Sequence, residues 1–201
     1  MMRYHPPTQK RVVRPRRDHA SGFTLIEAAL TTIIVGVGIL AMVSAQQAYH
    51  IKNDWAQRTG TAQMIANEIR ELTLVLPHHD PITGTATLGP EEVTVDGPQV
   101  DVLSYDDLDD FAGTVNALGF GSGVTFNPPI NGLRLPVAEL AKWSQVVTVE
   151  NVFADNLSAG AANVQPLGTT DMMRVTVDVT YQQNASAPIE NITSMTWVVA
   201  R

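Results

Sequence analysis

Carboxylates are the side chains most able to do chemistry in this sequence. Asp106, Asp107, Asp109 and Asp110 fall within five residues, with Asp101 just upstream. A hard cation such as calcium takes several oxygen ligands, and this is the densest supply of them. The glycine and closing glutamate of an EF-hand loop are missing at the required offsets. The competing reading is a solvated acidic turn from which Tyr105, Leu108 and Phe111 point inward. His78, His79 and Asp80 form a second set, able to hold zinc or another transition metal, or to sit solvated in a loop. The third candidate is a single residue. Glu27 is the only charged side chain between Phe23 and Ala45. An acid in lipid costs about 2.5–3.5 kcal/mol on insertion scales, so either Glu27 reaches the interface or something neutralises it. No G-x-S-x-G elbow, H-E-x-x-H pair or phosphate-cradling glycine loop is present, and the expectation is that the chain is not an enzyme. There are no cysteines, which excludes disulfides, thiolate metal sites and cysteine nucleophiles.

These residues must be positioned by four segments. Residues 1–22 carry six basic side chains against the single acid Asp18, a net of +5, so with the whole chain at −7 the remainder carries −12. A body that acidic is repelled by phosphate, and no nucleic-acid contact is expected. A basic end beside an apolar run fits the cytoplasmic side of a membrane. Residues 23–45 form that run, about 34 Å as a helix, enough to cross a bilayer. A secretory signal places its small-residue cleavage site after the apolar run. Here the best such site, "ASG", precedes it.

Residues 46–76 keep a helical stripe, Ile51, Trp55, Ala62, Ile65, Ile69, Leu72 and Leu76, at spacings of three, four and seven. Pro77 ends it. A solitary helix over 24–76, about 80 Å long, needs a cover, and the C-terminal part is expected to cover the stripe. Residues 77–201 read as a β-rich head. Val93, Val95, Val100 and Val102 flank a "DGP" turn as a hairpin. Short strands are expected at Val124–Phe126 and Leu133–Leu135. A strand follows from Trp143 through Val147 and Val149, with a phase slip near Val146. The cleanest alternation is Met173, Val175, Val177, Val179, Tyr181, and a last strand carries Ile192, Met195, Trp197 and Val199 as its antiparallel partner. Trp143, Tyr181 and Trp197 are expected to pack the sheet. The fold class predicted is α+β: a long N-terminal helix packed on an antiparallel sheet, which is expected to cover the Ile65–Leu72 stripe.

"GFTLIE", preceded by a basic leader and followed by about twenty apolar residues, resembles the processing site of type IV prepilins and of the related pseudopilins of type II secretion. The match covers roughly residues 14–45. It implies that a membrane-embedded prepilin peptidase cuts between Gly22 and Phe23, removing 1–22, and N-methylates Phe23. It implies a structural subunit, a minor pilin or pseudopilin, that is assembled into or primes a type IV pilus or pseudopilus. Its partners would be sister subunits, the inner-membrane assembly platform and membrane lipid, with force supplied by a separate ATPase. The implied location is a bacterial inner membrane, single-pass, with the N-terminus cytoplasmic and the head outside, and then the pilus or periplasmic pseudopilus. Glu27 would meet the new Phe23 amine, on its own chain or a neighbour's, since a buried ion pair costs far less than two lone charges. Some pseudopilins order loops with calcium, for which Asp106, Asp107, Asp109 and Asp110 are the candidates. "YDDLDDF", the strand "VTVENV" and the pair "VTVDVTY" and "MTWVVAR" are similar, more weakly, to minor pilins of the mannose-sensitive haemagglutinin type. The neighbourhood "MVSAQQ" lacks the proline that major pilins often carry there, which leans toward a minor subunit. The alternative function is a single-pass anchored extracytoplasmic binding module, which needs neither cleavage nor Glu27.

Overall fold

The computed structural model describes residues 23–90, 102–157 and 161–200. The expected leader, Gly22, Asp101 and the hairpin residues Val93, Val95 and Val100 lie outside them. The chain divides into two compact units, Met1–His50 and Ile51–Arg201, and one helix, α1 (Leu25–Thr73), contributes to both.

In the first unit every residue from Phe23 to His50 is exposed. This stretch is long and apolar enough to cross a membrane. Its aliphatic hydroxyls within the helix bond back to the helix: Thr31 Oγ1 donates to the Glu27 carbonyl at 2.7 Å, Thr32 Oγ1 to Ala28 at 2.9 Å and Ser44 Oγ to Leu40 at 2.9 Å. Such bonding to the carbonyl four residues back lets a hydroxyl sit in an apolar medium without an orphaned donor.

In the second unit the helix buries Ala62, Ile65, Ala66, Ile69, Leu72 and Thr73. That is the predicted stripe from Ala62 onward. Ile51 and Trp55 are 71% and 61% exposed, so the stripe extends beyond its cover. The cover stops near Arg58, whose guanidinium lies 4.5 Å over the Tyr181 ring and 3.8 Å from the Glu190 carboxylate. The helix ends at Thr73, three residues short of Leu76. Thr73 Oγ1 caps the Ile69 and Arg70 carbonyls at 2.9 and 3.2 Å, and Pro77 denies the next turn an amide donor.

The sheet is antiparallel. β1 (Val124–Phe126), β2 (Trp143–Val152), β4 (Met172–Tyr181) and β5 (Glu190–Ala200) lie side by side in that order, and the short β3 (Val164–Gln165) pairs with the far end of β2. The α+β class, with a long helix packed on a C-terminal antiparallel sheet, is therefore the observed fold. Inward residues of β2 and β4, among them Val147, Val149, Val175, Val177 and Val179, join the helix stripe in one core. Trp143 stands edge-on to Tyr181 at 5.0 Å, packing the sheet as expected.

Two expectations are corrected. β2 has no phase slip: Trp143, Gln145, Val147, Val149 and Asn151 alternate inward without interruption. The apparent slip arose because the inward residue at 145 is polar. Leu133–Leu135 is not a strand. Asn131 Oδ1 accepts the Leu133 and Leu135 amides at 2.9 and 3.0 Å, which closes a tight Asx-type loop instead. The three-residue step from Ile192 to Met195 is explained by a register shift opposite Val179 and Thr180, which inserts Ile192 as an extra residue in β5.

Candidate functional site

Two places carry the sequence-predicted site residues, one in each unit. In the first, Phe23 precedes the helix and Glu27 lies in its first turn. The Glu27 and Ala28 amides donate to the Thr24 carbonyl at 3.0 and 3.1 Å, and Thr24 Oγ1 is 3.5 Å from the Glu27 carboxylate. Thr24-x-x-Glu27 has the spacing of a capping box, and an acid in the first turn is stabilised by the positive end of the helix dipole. The acid thus sits at the helix end that suits its charge, although the reciprocal side-chain to amide bonds of a capping box are not formed. Phe23, Leu25 and Ile26 around it are 70%, 89% and 70% exposed.

In the second unit the acidic cluster is held against the turn that follows α1. The Leu108 amide donates to the Pro77 carbonyl at 2.8 Å. Asp109 continues into a short 3-10 turn (Asp109–Ala112), and Gly113 ends it with φ 67. A Cβ at Gly113 would strike the Gly123 carbonyl oxygen, so the cluster is pressed directly onto the loop leading into β1. Tyr105, Leu108 and Phe111 point inward as predicted, with Tyr105 edge-on to Phe111 at 5.0 Å.

The carboxylates themselves are not a solvated turn. Asp106 is exposed, but Asp107, Asp109 and Asp110 are buried. Asp107 and Asp110 brace each other's backbone. Asp107 Oδ1 accepts the Asp110 amide at 3.0 Å, and Asp110 Oδ2 accepts the Asp106 and Asp107 amides at 2.8 and 3.4 Å. Asp109 turns to His79, whose Nδ1 donates to Oδ2 at 2.7 Å with both side chains almost fully buried. Burial, a hydrogen bond with Asp109 and the charge of Asp109 push the Asp107 carboxyl up to about 8. Burial and the neighbouring Asp107 raise Asp110 to about 6. Burial and the charge of Asp110 push the Tyr105 phenol up to about 12.

A cation finds three clustered ligands here. Carboxylate oxygens of Asp106, Asp107 and Asp110 lie within 4.8 Å of one another. Calcium takes about six to eight oxygens. Two of these three carboxyls already accept backbone amides, and Asp109 is committed to His79, so the set supplies a minority of what the ion needs. The His78, His79 and Asp80 side chains form no such group among the described residues: His79 is drawn to Asp109, and Asp80 Oδ1 accepts the Ile82 and Thr83 amides. His78, His79 and Asp80 instead line a cavity of about 670 Å³ at the end of α1, between Leu76 and Val199.

Gln145 was missed by the pattern. It is fully buried on β2. Its amide nitrogen donates to the Ile65 carbonyl at 2.9 Å and the Ile130 carbonyl at 3.2 Å, and its oxygen accepts the Ile130 amide at 2.8 Å. One side chain thus ties helix, sheet and loop. The signal for it was a lone amide at an inward position of a strand. No protein-family model matches this chain, and no curated protein or solved structure matches it either.

Proposed function

We propose that this chain is a prepilin-like structural subunit, a minor pilin or pseudopilin, cut between Gly22 and Phe23 and assembled through its apolar helix into a type IV pilus or a type II secretion pseudopilus. The observation that carries the reading is the uncovered first half of α1. From Phe23 to Val43 its large apolar side chains are exposed, its hydroxyls are bonded internally, and one carboxylate sits in its first turn. Such a surface is unstable in water and suits lipid first and packed helices later. Gly36 and Gly38 add to this: nothing lies within 4 Å of where their Cβ atoms would be, so a second helix can approach the backbone closely.

Cleavage would create an ammonium four residues before Glu27, at a helix end that already favours a negative charge. Subunits meeting in an apolar core would neutralise both groups by pairing them. Peptidase, sister subunits and assembly platform are the partners of this reading, and an inner-membrane site is its location. Mass spectrometry of the N-terminal peptide from native membranes tests it. A chain starting at methylated Phe23 supports it, and an intact leader favours the anchored binding module.

A further inference from the structure

We propose that the groove beside β1 binds the C-terminal end of an extended polypeptide from another protein, with the terminal carboxylate on Arg134 and the peptide backbone along the open edge of β1. This goes beyond the filament reading and does not depend on it.

The groove encloses about 610 Å³, and its walls include Tyr105, Phe126, Ile130, Arg134 and Leu135. Val124, Thr125 and Phe126 all line it. Successive strand residues point to opposite faces, so three in a row are presented together only along an edge. β1 pairs only with β2 among the described residues, and no further backbone hydrogen bond engages Val124–Phe126. Its outer amides and carbonyls are thus available to an added strand.

Arg134 supplies the charge. Among the described residues its guanidinium makes one hydrogen bond, from Nη1 to the Leu103 carbonyl at 3.3 Å, and no carboxylate reaches it. A guanidinium carries five N–H donors in a planar fork that matches a carboxylate. Arg134 also stands at φ 62, a left-handed conformation that favours glycine. The turn holding it there is well determined: its amide donates to the Asn131 carbonyl at 2.8 Å, inside the loop closed by Asn131 Oδ1. A strained arginine without a carboxylate partner, on a groove of mixed polar and apolar lining in an acidic protein, is explained if a ligand carboxylate completes it. Since the chain's net charge of −7 repels anions at long range, short-range fork geometry must select the ligand. The open strand edge favours a peptide chain end over a small free acid.

The test is fluorescence anisotropy with the full chain in detergent micelles. The probe is an N-terminally labelled hexapeptide of alternating threonine and valine with a free C-terminal carboxylate, compared with the same peptide amidated. The acid should bind, and the amide about tenfold more weakly, as expected for losing a charge-assisted bidentate contact. Arg134→Gly should bind both peptides equally. That variant relieves the left-handed backbone, so its thermal midpoint should not fall. No binding of the acid, equal binding of both peptides by the unaltered chain, or a preference for the acid retained by Arg134→Gly would each overturn the proposal.

Discussion

Replacing Asp107 by asparagine removes a titrating group from a buried cluster while keeping its shape and its acceptor oxygen for the Asp110 amide. The unaltered carboxyl is held at about 8 in the folded head, against about 3.9 when unfolded. Between those values the folded state keeps a proton that the unfolded state releases. Its stability contribution is therefore fully present below pH 4 and is lost as pH rises through 8. One proton over one pH unit is worth about 1.4 kcal/mol, so a single site would cost about 3 kcal/mol between pH 5 and 7. Asp107 and Asp110 are coupled, which brings the expected loss to about half that figure, ~1–2 kcal/mol. Asp110, raised to about 6, acts in the same direction up to that pH. The assay is urea unfolding of the full chain in micelles, followed by near-ultraviolet circular dichroism at pH 5, 6, 7 and 8. The unaltered protein should weaken steadily with pH. Asp107→Asn should flatten the slope and be the more stable form at pH 7, because it carries no proton that the folded state must retain. Equal slopes in both proteins, or stability rising with pH in the unaltered one, would refute the buried-proton argument.

The other predictions concern packing and assembly. Ile69→Ala empties a fully buried site under the sheet and should cost about 2–5 kcal/mol in the same unfolding assay. Gln145→Leu keeps the volume but strands the Ile130 amide and carbonyl, and should cost about 2–4 kcal/mol; a neutral result would show that water replaces it. Glu27→Gln should leave the near-ultraviolet spectrum unchanged and lower the fraction of subunit recovered in sheared filaments, with normal recovery removing Glu27 from the mechanism. Gly22→Leu should block processing, so that immunoblots show only the longer precursor.

The helix and the long strands were legible because burial there repeats in the sequence. Ile65, Ile69 and Leu72 recur at helical spacing, and Val175, Val177 and Val179 at strand spacing. What was hidden is polar. Gln145 broke the apparent alternation of β2 because periodicity assumes that inward residues are apolar. The pairing of His79 with Asp109 joins residues thirty positions apart, which no local pattern encodes. The acidic run looked solvated because composition alone cannot tell a surface carboxylate from one braced by backbone amides. Glu27 stood out by contrast with its surroundings, while its place in a capping-box spacing with Thr24 went unnoticed beside the motif. Ile51 and Trp55 continue the stripe in sequence, yet the sheet's cover of the helix stops near Arg58 and leaves them bare.

The central claim concerns one peptide bond, and intact-mass and peptide mass spectrometry of the chain purified from its native membrane address it most directly. The account predicts a mature form lacking residues 1–22, with one added methyl group on Phe23. A chain that still carries those residues, or one cut elsewhere, would contradict it.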